Sequence, residues 1–552
     1  MPGPREVLRR RARETPDRRA YVFLGPDGTE VEALTYGELH ARARATALRL
    51  AAHASPGDRA LLLFAPGLDF LVAFFGCLEA GVIAVPVAPP RRGHVQDATR
   101  SIVADAEPAV VLADPTTTAE ARDALAPHLP WLLVEGVAEG RPDEGPADPA
   151  SPAFLQYTSG STSAPKGVVV THGNLAANED MIRRAFGHDG TSTFVGWAPH
   201  FHDQGLIGNV LQPLHLGTLA VLMAPSTFIR RPLVWPETVS RFRARTSGGP
   251  DFAFAACVAA AARSGLPAGL DLSCWTVAFD GAEPLRPSTL RGFAATFGPA
   301  GFDPGALYPC YGLAEATLLV TGSRPGRGPR WLGVDPEALT RGRLEPGTRT
   351  IVGSGQVLPG EEVRIVDPDT EHACADGEVG EIRVAGAHVA AGYWRNAAAT
   401  DATFGGGELR TGDLGALVDG ELYVVGRRSD VIVVRGRNHH PGDLETTALG
   451  AHPALAPSGP ATAVAVGLPD DEGGGERVAV VLEVRDPDLD EAQVVGAVRA
   501  AVLREHDLAL AAVVLTRPGA LPRTSSGKIR RRAARDVHLT HGFPALVPEE
   551  VR

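Results

Sequence analysis

Apolar runs of strand-forming residues alternate with helical stretches over the first part of the chain. Arg59–Phe64 and Val82–Val87 have the character of buried strands, and Tyr36–His53 and Phe70–Ala80 have that of helices. Strands that alternate with helices are typical of α/β layers built on a largely parallel sheet. The chain has 552 residues, which is too long for a single ordinary hydrophobic core. We therefore expect two or more domains.

Changes in composition along the chain indicate where these domains lie. A second αβ block runs from about Phe154 to Val320, and Thr350–Gly386 carries short β runs between turn residues, as in a small β-rich subdomain. From about Arg427 further strands and a helix are long enough for a small domain. We predict an α/β protein with a large N-terminal domain, residues 1–426, of two αβ subdomains plus the β-rich subdomain, followed by a small α/β C-terminal domain, residues 427–552.

The charge and the cysteines argue against several classes of protein. With 53 Lys and Arg against 65 Asp and Glu, the net charge is −12, which disfavours a nucleic-acid partner and binding to anionic lipid. Five widely spaced cysteines without a Cys-x-x-Cys pair predict reduced thiols and a cytoplasmic protein. The most apolar region, Phe70–Ala88, is interrupted by Glu79, Gly81 and Pro86, so it predicts a buried helix and strand and no membrane span.

A loop rich in Gly, Ser and Thr, Thr158–Gly167, lies between two strand-like runs. Hydroxyl groups and free backbone N–H groups on such a turn form an anion cradle, and Lys166 adds a point charge. The loop differs from a Walker A motif, because Pro165 precedes the lysine, Gly167 follows it and a strand comes next. An ordinary flexible turn stays open as an alternative when the loop is considered alone.

Three further segments carry a carboxylate where a nucleotide could be held. Asp280–Pro284 follows an apolar run, and it places a Gly turn and a carboxylate at the C-terminal end of a strand, where open α/β sheets bind ligands. Tyr308–Thr317 offers an aromatic ring that can stack on a base and, four residues later, a carboxylate that can hold Mg²⁺. Leu409–Gly415 is a turn with one Asp. Each segment, taken alone, is also explained as an ordinary turn or a core aromatic.

Two segments are rich in histidine or in basic residues. Pro199–Gly205 contains His-x-His-Asp, which could bind a metal, but no second cluster with ligand spacing accompanies it. A polar lining of an active-site cleft is therefore the better interpretation. Leu521–Arg532 is a basic loop for which a solvated charge run is the usual explanation, although its Ser-Ser-Gly-Lys portion is more specific than a random tail.

In this order along the chain, the segments resemble the motifs of the adenylate-forming superfamily of acyl-CoA synthetases, peptide-synthetase adenylation domains and luciferases. The resemblance extends from Leu34 to Lys528 and implies an ATP-binding N-terminal domain with a small, mobile C-terminal domain. The nucleotide-binding residues that it implies are Thr158, Ser159, Gly160, Ser161, Thr162 and Lys166 at the phosphates, Gly281, Ala282 and Glu283 on the adenine side, Tyr311 and Gly312 at the stacking position, and Asp413 and Arg427 at the ribose.

The same resemblance implies the catalytic residues. His202 corresponds to a gating position, Glu315 to the Mg²⁺ ligand with Thr158 beside it, and Lys528 to the lysine that reaches the acyl carboxylate and the α-phosphate, while Ser429 lies in the hinge motif. The chemistry agrees with these roles. A carboxylate becomes a good electrophile when one of its oxygens is bonded to AMP, which then acts as the leaving group. The carboxylate and the triphosphate are both anions, so cations must lie beside them when they react. We therefore expect ATP and Mg²⁺ to be required.

Within the superfamily, the chain is most similar to the fatty acyl-AMP ligases, which load acyl carrier proteins instead of coenzyme A. The stretches that carry this likeness are Pro66–Phe70, Val85–Arg92, Pro199–Gly208, Val352–Gly355 with Arg364–Pro368, and Arg435–Pro441. The likeness implies a fatty acid substrate, a separate acyl carrier protein as acceptor, and an insertion within residues 321–349 that disfavours transfer to coenzyme A. An acyl-CoA ligase and a catalytically idle homologue that binds nucleotide or acyl chains stay open as alternatives.

Some positions depart from the superfamily's usual pattern. Ser163 and Ala164 stand where Gly-x is usual, Ser429 stands where Lys or Asp is more usual at the hinge, and His439 and His440 replace an aromatic residue. No motif specifies the acid. The candidates for an acyl tunnel are aromatic residues that core packing explains at least as well: Trp197, Phe201, Phe228, Phe252, Phe254 and Phe279.

Overall fold

The computed structural model describes residues 2–90, 95–115, 119–134, 145, 147–158, 165–434, 437–455, 462–469, 476–485, 489–523, 528–544 and 546. Its α-helices are α1 (Pro4–Glu14), α2 (Tyr36–Leu50), α3 (Asp69–Ala80), α4 (Asp97–Ala106), α5 (Ala119–Leu125), α6 (His172–Ala185), α7 (Gln212–Leu216), α8 (Pro225–Arg230), α9 (Val234–Phe242), α10 (Asp251–Ser264), α11 (Pro287–Phe297), α12 (Pro336–Thr340), α13 (Ala397–Phe404), α14 (Pro441–Gly450), α15 (Glu491–His506) and α16 (Arg531–Thr540). A π-helical segment covers Gln204–Leu211.

The strands follow in chain order. They are β1 (Arg19–Leu24), β2 (Glu30–Thr35), β3 (Arg59–Leu63), β4 (Ile83–Pro86), β5 (Val110–Ala113), β6 (Trp131–Leu133), β7 (Pro152–Thr158), β8 (Lys166–Thr171), β9 (Phe194–Gly196), β10 (Ala220–Met223), β11 (Thr246–Gly249), β12 (Val277–Asp280), β13 (Leu307–Gly312), β14 (Leu319–Gly322), β15 (Trp331–Val334), β16 (Arg349–Val352), β17 (Gln356–Val357), β18 (Glu361–Val366), β19 (Gly380–Gly386), β20 (Leu409–Val418), β21 (Glu421–Arg427), β22 (Ile432–Val434), β23 (Arg437–His439), β24 (Thr462–Pro469), β25 (Glu476–Glu483) and β26 (Ala512–Thr516). Most of the predicted elements appear within a few residues of their expected bounds.

Two large sheets organise the chain up to β21. The first has six strands in the order β6-β5-β3-β4-β7-β8, of which only β8 is antiparallel to its neighbour. The second has thirteen strands in the order β18-β19-β20-β21-β17-β14-β13-β12-β11-β9-β10-β1-β2. Its central strands are parallel, and β14, β17 and β18 to β21 extend it as an antiparallel array, whereas β15 and β16 form a separate pair. The predicted α/β class, with a β-rich part near residues 350–386, is confirmed.

The division into two consecutive αβ blocks is wrong in its boundary. The predicted second block begins at about Phe154, yet Phe154 pairs in parallel with Ala84, so β7 and β8 complete the first sheet. Conversely, the N-terminal strand β1 pairs in parallel with β10 of the second sheet. Alternation of strands and helices predicts the layer type, but it carries no information on which sheet a strand joins.

The main core lies between the two sheets and is formed by helices that both sheets cover. Phe74 and Phe154, for example, belong to the same buried cluster as Leu206 and Tyr308. The predicted buried helix is α3, whose C-terminus is closed by Gly81 with a left-handed φ of 68°. None of the helices in the described part of the chain has the length and apolar character needed to cross a membrane.

The region after β21 has its own three-stranded sheet, β24-β25-β26, and its own buried cluster. It contacts the N-terminal region through the segment between β14 and β17, where α12 lies against α15 and β23. Arg349 of β16 forms an ion pair with Asp443 of α14 across this boundary. The predicted insertion thus lies against the C-terminal region.

Candidate active site

A cavity of about 2740 Å³ lies where the two large sheets and the C-terminal region meet. Strand ends surround it, as expected for ligand sites in α/β sheets. The predicted site residues that line it are Thr158, His202, Gly281, Ala282, Glu283, Tyr311, Gly312, Glu315, Asp413, Arg427 and Lys528. The fold therefore brings together side chains that are far apart along the chain.

The hairpin of β7 and β8 presents the predicted phosphate loop. Thr158 and Lys166 face each other in register at the end of the hairpin ladder, and Thr158 lines the cavity. The Lys166 ammonium lies 4.9 Å from the centroid of the Tyr393 ring, within cation–π range. The remaining predicted members of the loop fall outside the described residues: Ser159, Gly160, Ser161 and Thr162. Their role in binding phosphate stays a prediction.

A buried carboxylate marks the predicted ribose position. Asp413 on β20 faces Arg427 on β21, and the Arg427 Nε donates to Asp413 Oδ1 at 2.7 Å. The Tyr311 hydroxyl donates to Asp413 Oδ2 at 2.7 Å. Asp413 raises the pKa of Arg427, and burial followed by Asp413 raises the pKa of Tyr311. Both partners hold the carboxylate in place, and its remaining lone pairs are suited to accept hydrogen bonds from two hydroxyls.

Glu315 is the predicted metal ligand, and it lies in the turn Ala314–Ala316 after β13. Its Oε1 accepts a hydrogen bond of 2.9 Å from the Tyr393 hydroxyl. Burial raises the pKa of Glu315, so a nearby cation would favour its charged form. Carboxylate and hydroxyl oxygens suit Mg²⁺, which is commonly held by one or two carboxylates together with substrate phosphates. Glu315 and Thr158 fit that requirement.

Among the described residues, no group of three or more His, Cys, Asp or Glu side chains could hold a metal ion. This applies to the His-x-His-Asp segment, whose two histidine side chains lie in different surroundings. His200 is buried beside Phe70, with ring centroids 5.4 Å apart, whereas His202 lines the cavity. His202 therefore lies where a polar residue of the cleft lining is expected.

The turn after β12 has the backbone that its sequence predicts. A Cβ at Gly281 would lie 2.8 Å from the Cys310 carbonyl oxygen, so only glycine fits there without a shift. Ala282 has a φ of 70°, a conformation that non-glycine residues rarely adopt. Glu283 Oε1 accepts a hydrogen bond of 2.6 Å from the Phe252 backbone N–H, and burial raises the pKa of Glu283.

Lys528 reaches from the C-terminal region into the N-terminal site. A side chamber of about 50 Å³ is lined by Trp197, His202, Glu283 and Lys528. His202 Nδ1 lies 2.5 Å from Asp203 Oδ1. Burial alone would raise the pKa of Asp203, but the charge and hydrogen bond of His202, the charge of Lys528 and the hydrogen bond from the Gln204 backbone N–H outweigh burial and lower that pKa. The chamber therefore combines one carboxylate, that of Glu283, with the primary amine of Lys528 beside the larger cavity.

The predicted site residues Lys166 and Ser429, and Asp280 of the segment after β12, lie outside the cavity lining. Ser429, the predicted hinge residue, donates from its hydroxyl to Asp430 Oδ1 at 3.1 Å, and Asp430 accepts from Arg531 at 2.8 Å. Asp280 is fully buried away from the cavity. Within the described part of the chain its two carboxylate oxygens have no hydrogen-bond partner, and burial raises its pKa well above the usual value. Glu283, and not Asp280, is the carboxylate that this turn presents to the cavity.

Two side chains of the site were not predicted from the sequence. Asp203 was part of a recognised segment, and its contact with the adjacent His202 could have been suspected from their spacing. Tyr393 carries no such signal, because it is separated from Glu315 by 78 positions and lies in none of the recognised segments. Its place in the site depends entirely on the tertiary fold.

Apolar side chains line a part of the cavity that we call the apolar arm. It is lined by Ile182, Phe186, Phe194, Phe279, Leu318 and Leu319, together with Gly208 of the π-helical segment. Behind Phe186 lies the ring of Tyr308, 4.5 Å away between centroids. Of the six aromatic tunnel candidates, Phe228 and Phe254 are buried core residues outside the lining, while the lining includes Trp197, Phe201, Phe252 and Phe279.

Comparison with protein families defines the class. The AMP-binding enzyme family matches residues 8–394, and the Disco-interacting protein 2-like, AMP domain family matches residues 429–546. The chain belongs to the AMP-binding, adenylate-forming enzymes, and within them to the fatty acyl-AMP ligase branch.

Relatives and solved structures agree with this placement. The chain is 40% identical over 565 residues to the medium-chain-fatty-acid–[acyl-carrier-protein] ligase JamA of Moorena producens, with 96% of this chain and 94% of the relative covered. It is 36% identical to the long-chain-fatty-acid–AMP ligase FadD26 of Mycobacterium marinum, with 98% of each covered. A fatty acyl-adenylate ligase of L. pneumophila, solved with acyl adenylate and pyrophosphate, superposes with a TM-score of 0.75 at 37% identity and covers 98% of this chain and 97% of that one.

Proposed function

We propose that the protein activates a fatty acid with ATP as an acyl-adenylate and transfers the acyl group to the phosphopantetheine thiol of a separate acyl carrier protein. The observation that carries this proposal is that Lys528 shares one cavity with Glu315 and Asp413. An apolar arm for the acid opens from the same cavity. The names of the relatives, a fatty-acid–[acyl-carrier-protein] ligase and a fatty-acid–AMP ligase, support the same assignment. The five free cysteines support a reducing, cytoplasmic setting.

In the first half-reaction, a carboxylate oxygen of the acid forms a bond to the α-phosphorus of ATP. The bond from that phosphorus to the oxygen bridging to the β-phosphorus breaks, and pyrophosphate leaves. Asp413 would hold the ribose, Tyr311 would lie against the adenine, and Lys528 would neutralise charge where the two anions meet. When bound at Glu315 and Thr158, Mg²⁺ supplies further charge neutralisation to the phosphates.

In the second half-reaction, the sulfur of the carrier's thiol forms a bond to the acyl carbonyl carbon, and AMP leaves with the bridging oxygen. The thiol proton passes to solvent or to a base near the site. The contact of Arg349 with Asp443 fastens the segment between β14 and β17 to the C-terminal region. We propose that this contact limits the rearrangement that free coenzyme A requires.

Transfer from acyl-AMP to a carrier protein should therefore be at least about tenfold faster than transfer to coenzyme A at equal thiol concentration, a difference of about 1.4 kcal/mol in the barrier. Thioester formation is followed by mass spectrometry of the carrier and by chromatography of acyl-CoA. The variant Arg349→Ala, which removes the ion pair with Asp443, should raise the rate of acyl transfer to coenzyme A relative to the rate of transfer to the carrier protein. Comparable rates with both thiols in the wild type would favour an acyl-CoA ligase, and no pyrophosphate exchange with any acid would favour an idle homologue.

The length of the accepted acid should depend on Gly208. A Cβ built at Gly208 meets nothing nearer than Leu318 at 3.5 Å, so a larger side chain has room to project into the apolar arm. Gly208→Leu should lower kcat/KM for dodecanoic acid roughly tenfold or more relative to butanoic acid, since each excluded methylene loses about 0.8 kcal/mol. Phe279→Leu, which enlarges the arm, should shift the ratio the other way. Equal changes for both acids in a pyrophosphate-release assay would show that this arm does not hold the acyl chain.

A further inference from the structure

The segment Ala387–Trp394 connects β19 to α13, and we call it the strap. Its backbone pairs with β8, the strand that begins with Lys166. Val169 donates to the Gly392 carbonyl at 2.9 Å, Ala391 donates to the Val169 carbonyl at 3.0 Å, and Trp394 donates to the Gly167 carbonyl at 2.7 Å. The strap is thus fixed along the strand that follows the predicted phosphate loop.

The strap is equally fixed to the turn that carries Glu315. Ala390 donates from its backbone N–H to the Glu315 carbonyl at 2.9 Å. The hydroxyl of Thr317 donates to the His388 carbonyl at 2.6 Å, and Thr317 is fully buried with a φ of 66°. A non-glycine residue held in that region needs a surrounding structure that enforces it. The strap therefore joins two parts of the site that different sheets supply.

Tyr393 places its side chain between these two parts. Its hydroxyl donates to Glu315 Oε1 at 2.9 Å, and the Lys166 ammonium lies 4.9 Å from its ring centroid. Tyr393 is absent from the cavity lining, whereas Glu315 is part of it. The ring also packs against Phe404, with centroids 5.3 Å apart. Tyr393 can therefore act on a bound nucleotide only through its neighbours.

We infer that Tyr393 is a positioning residue that orients the Glu315 carboxylate and the Lys166 ammonium for the metal-bound triphosphate. This inference rests on the proposed function, in which Glu315 is the Mg²⁺ ligand. The phenol occupies one carboxylate oxygen by a hydrogen bond, which fixes the rotation of the carboxylate. Its ring supplies a face that holds the lysine near the same point without neutralising its charge. A purely structural tyrosine would need only the packing against Phe404.

Tyr393→Phe tests the hydroxyl while keeping the ring. Binding of α,β-methylene-ATP, which cannot be adenylated onto the acid, is measured by calorimetry with and without Mg²⁺. We expect the Mg²⁺-dependent gain in affinity to fall about tenfold, as for a lost hydrogen bond to a charged group. Affinity without Mg²⁺ and thioester formation from supplied acyl-AMP should keep their wild-type values. In the Glu315→Gln background, the same substitution should have no further effect on Mg²⁺ dependence.

Tyr423→Phe, a phenol removed from the buried strand β21 outside the cavity lining, is the matched control. Wild-type Mg²⁺ dependence in Tyr393→Phe would overturn the inference. An equal loss of affinity with and without Mg²⁺, or a lowered unfolding temperature as the sole change, would also overturn it. The binding measurement needs no acid, so it tests the role of Tyr393 independently of acid activation. If no acid supported pyrophosphate exchange, the proposed function would fail, but the binding result for Tyr393 would still stand.

Discussion

Lys528→Ala should reduce acyl-adenylate formation by about 10²- to 10³-fold, the usual cost of removing one group that stabilises developing charge. Thioester formation from supplied acyl-AMP should keep its wild-type rate. Lys528 lines the small chamber with Glu283 and, after His202, helps to lower the pKa of Asp203, so it brings a positive charge close to two carboxylates at this point of the cavity. Without it, the incoming carboxylate would meet the phosphate with less compensating charge.

The two half-reactions are measured separately, by acid-dependent pyrophosphate exchange and by transfer from synthetic acyl-AMP. Arg535→Ala is the control, because Arg535 lies in the adjacent helix α16 but outside the cavity lining. It removes the same unit of charge and should leave both rates unchanged. An equal loss of both half-reactions in Lys528→Ala would contradict a role confined to adenylation.

Gly312→Ala should have the second large effect, a destabilisation of about 3 kcal/mol or more together with loss of nucleotide binding. A Cβ at Gly312 would lie 1.8 Å from the Leu318 carbonyl oxygen and 3.1 Å from the Leu319 Cα. Both are backbone atoms, so the turn between β13 and β14 must open to admit a methyl group. Opening that turn displaces Tyr311 and Glu315, which flank the glycine.

Thermal unfolding and binding of ATP measure the two consequences of Gly312→Ala. Gly298→Ala is the matched control, because no atom lies within 4 Å of its Cβ position and its φ of −53° suits any residue. That substitution should be neutral or slightly stabilising. If Gly312→Ala retained the wild-type unfolding temperature and affinity, the close approach of the two backbones would be irrelevant to the site.

Much of the local structure could be predicted from the sequence. The helix α3 and the strands around it follow from apolar runs and a closing glycine, and the turn at Gly281 follows from its place after a buried strand. These features depend on residues that are neighbours in the chain. Tyr311, Asp413 and Lys528 are far apart in the chain, so no local pattern predicts that they lie together. They could be assigned to one site only from the order of their motifs.

The remaining features depend on contacts between distant segments. The alternation of helices and strands does not reveal that β1 joins the second sheet and β7 the first. The burial of Asp280 at the end of β12 and the position of Glu283 in the cavity lining depend on how the turn after β12 packs against the rest of the chain. Tyr393 lies beside Glu315 only because the strap pairs with β8.

The pairing of β1 with β10 has a consequence for biosynthesis. The strand Ala220–Met223, the parallel partner of β1, is translated roughly 200 residues after the hairpin of β1 and β2, or about 10 to 40 s later at bacterial rates. During that interval the apolar side of β1 has no sheet to join, since its residues from Ala20 to Leu24 are buried only in the finished fold. Until β10 is made, the β1 strand therefore exposes apolar side chains that a chaperone would protect from aggregation.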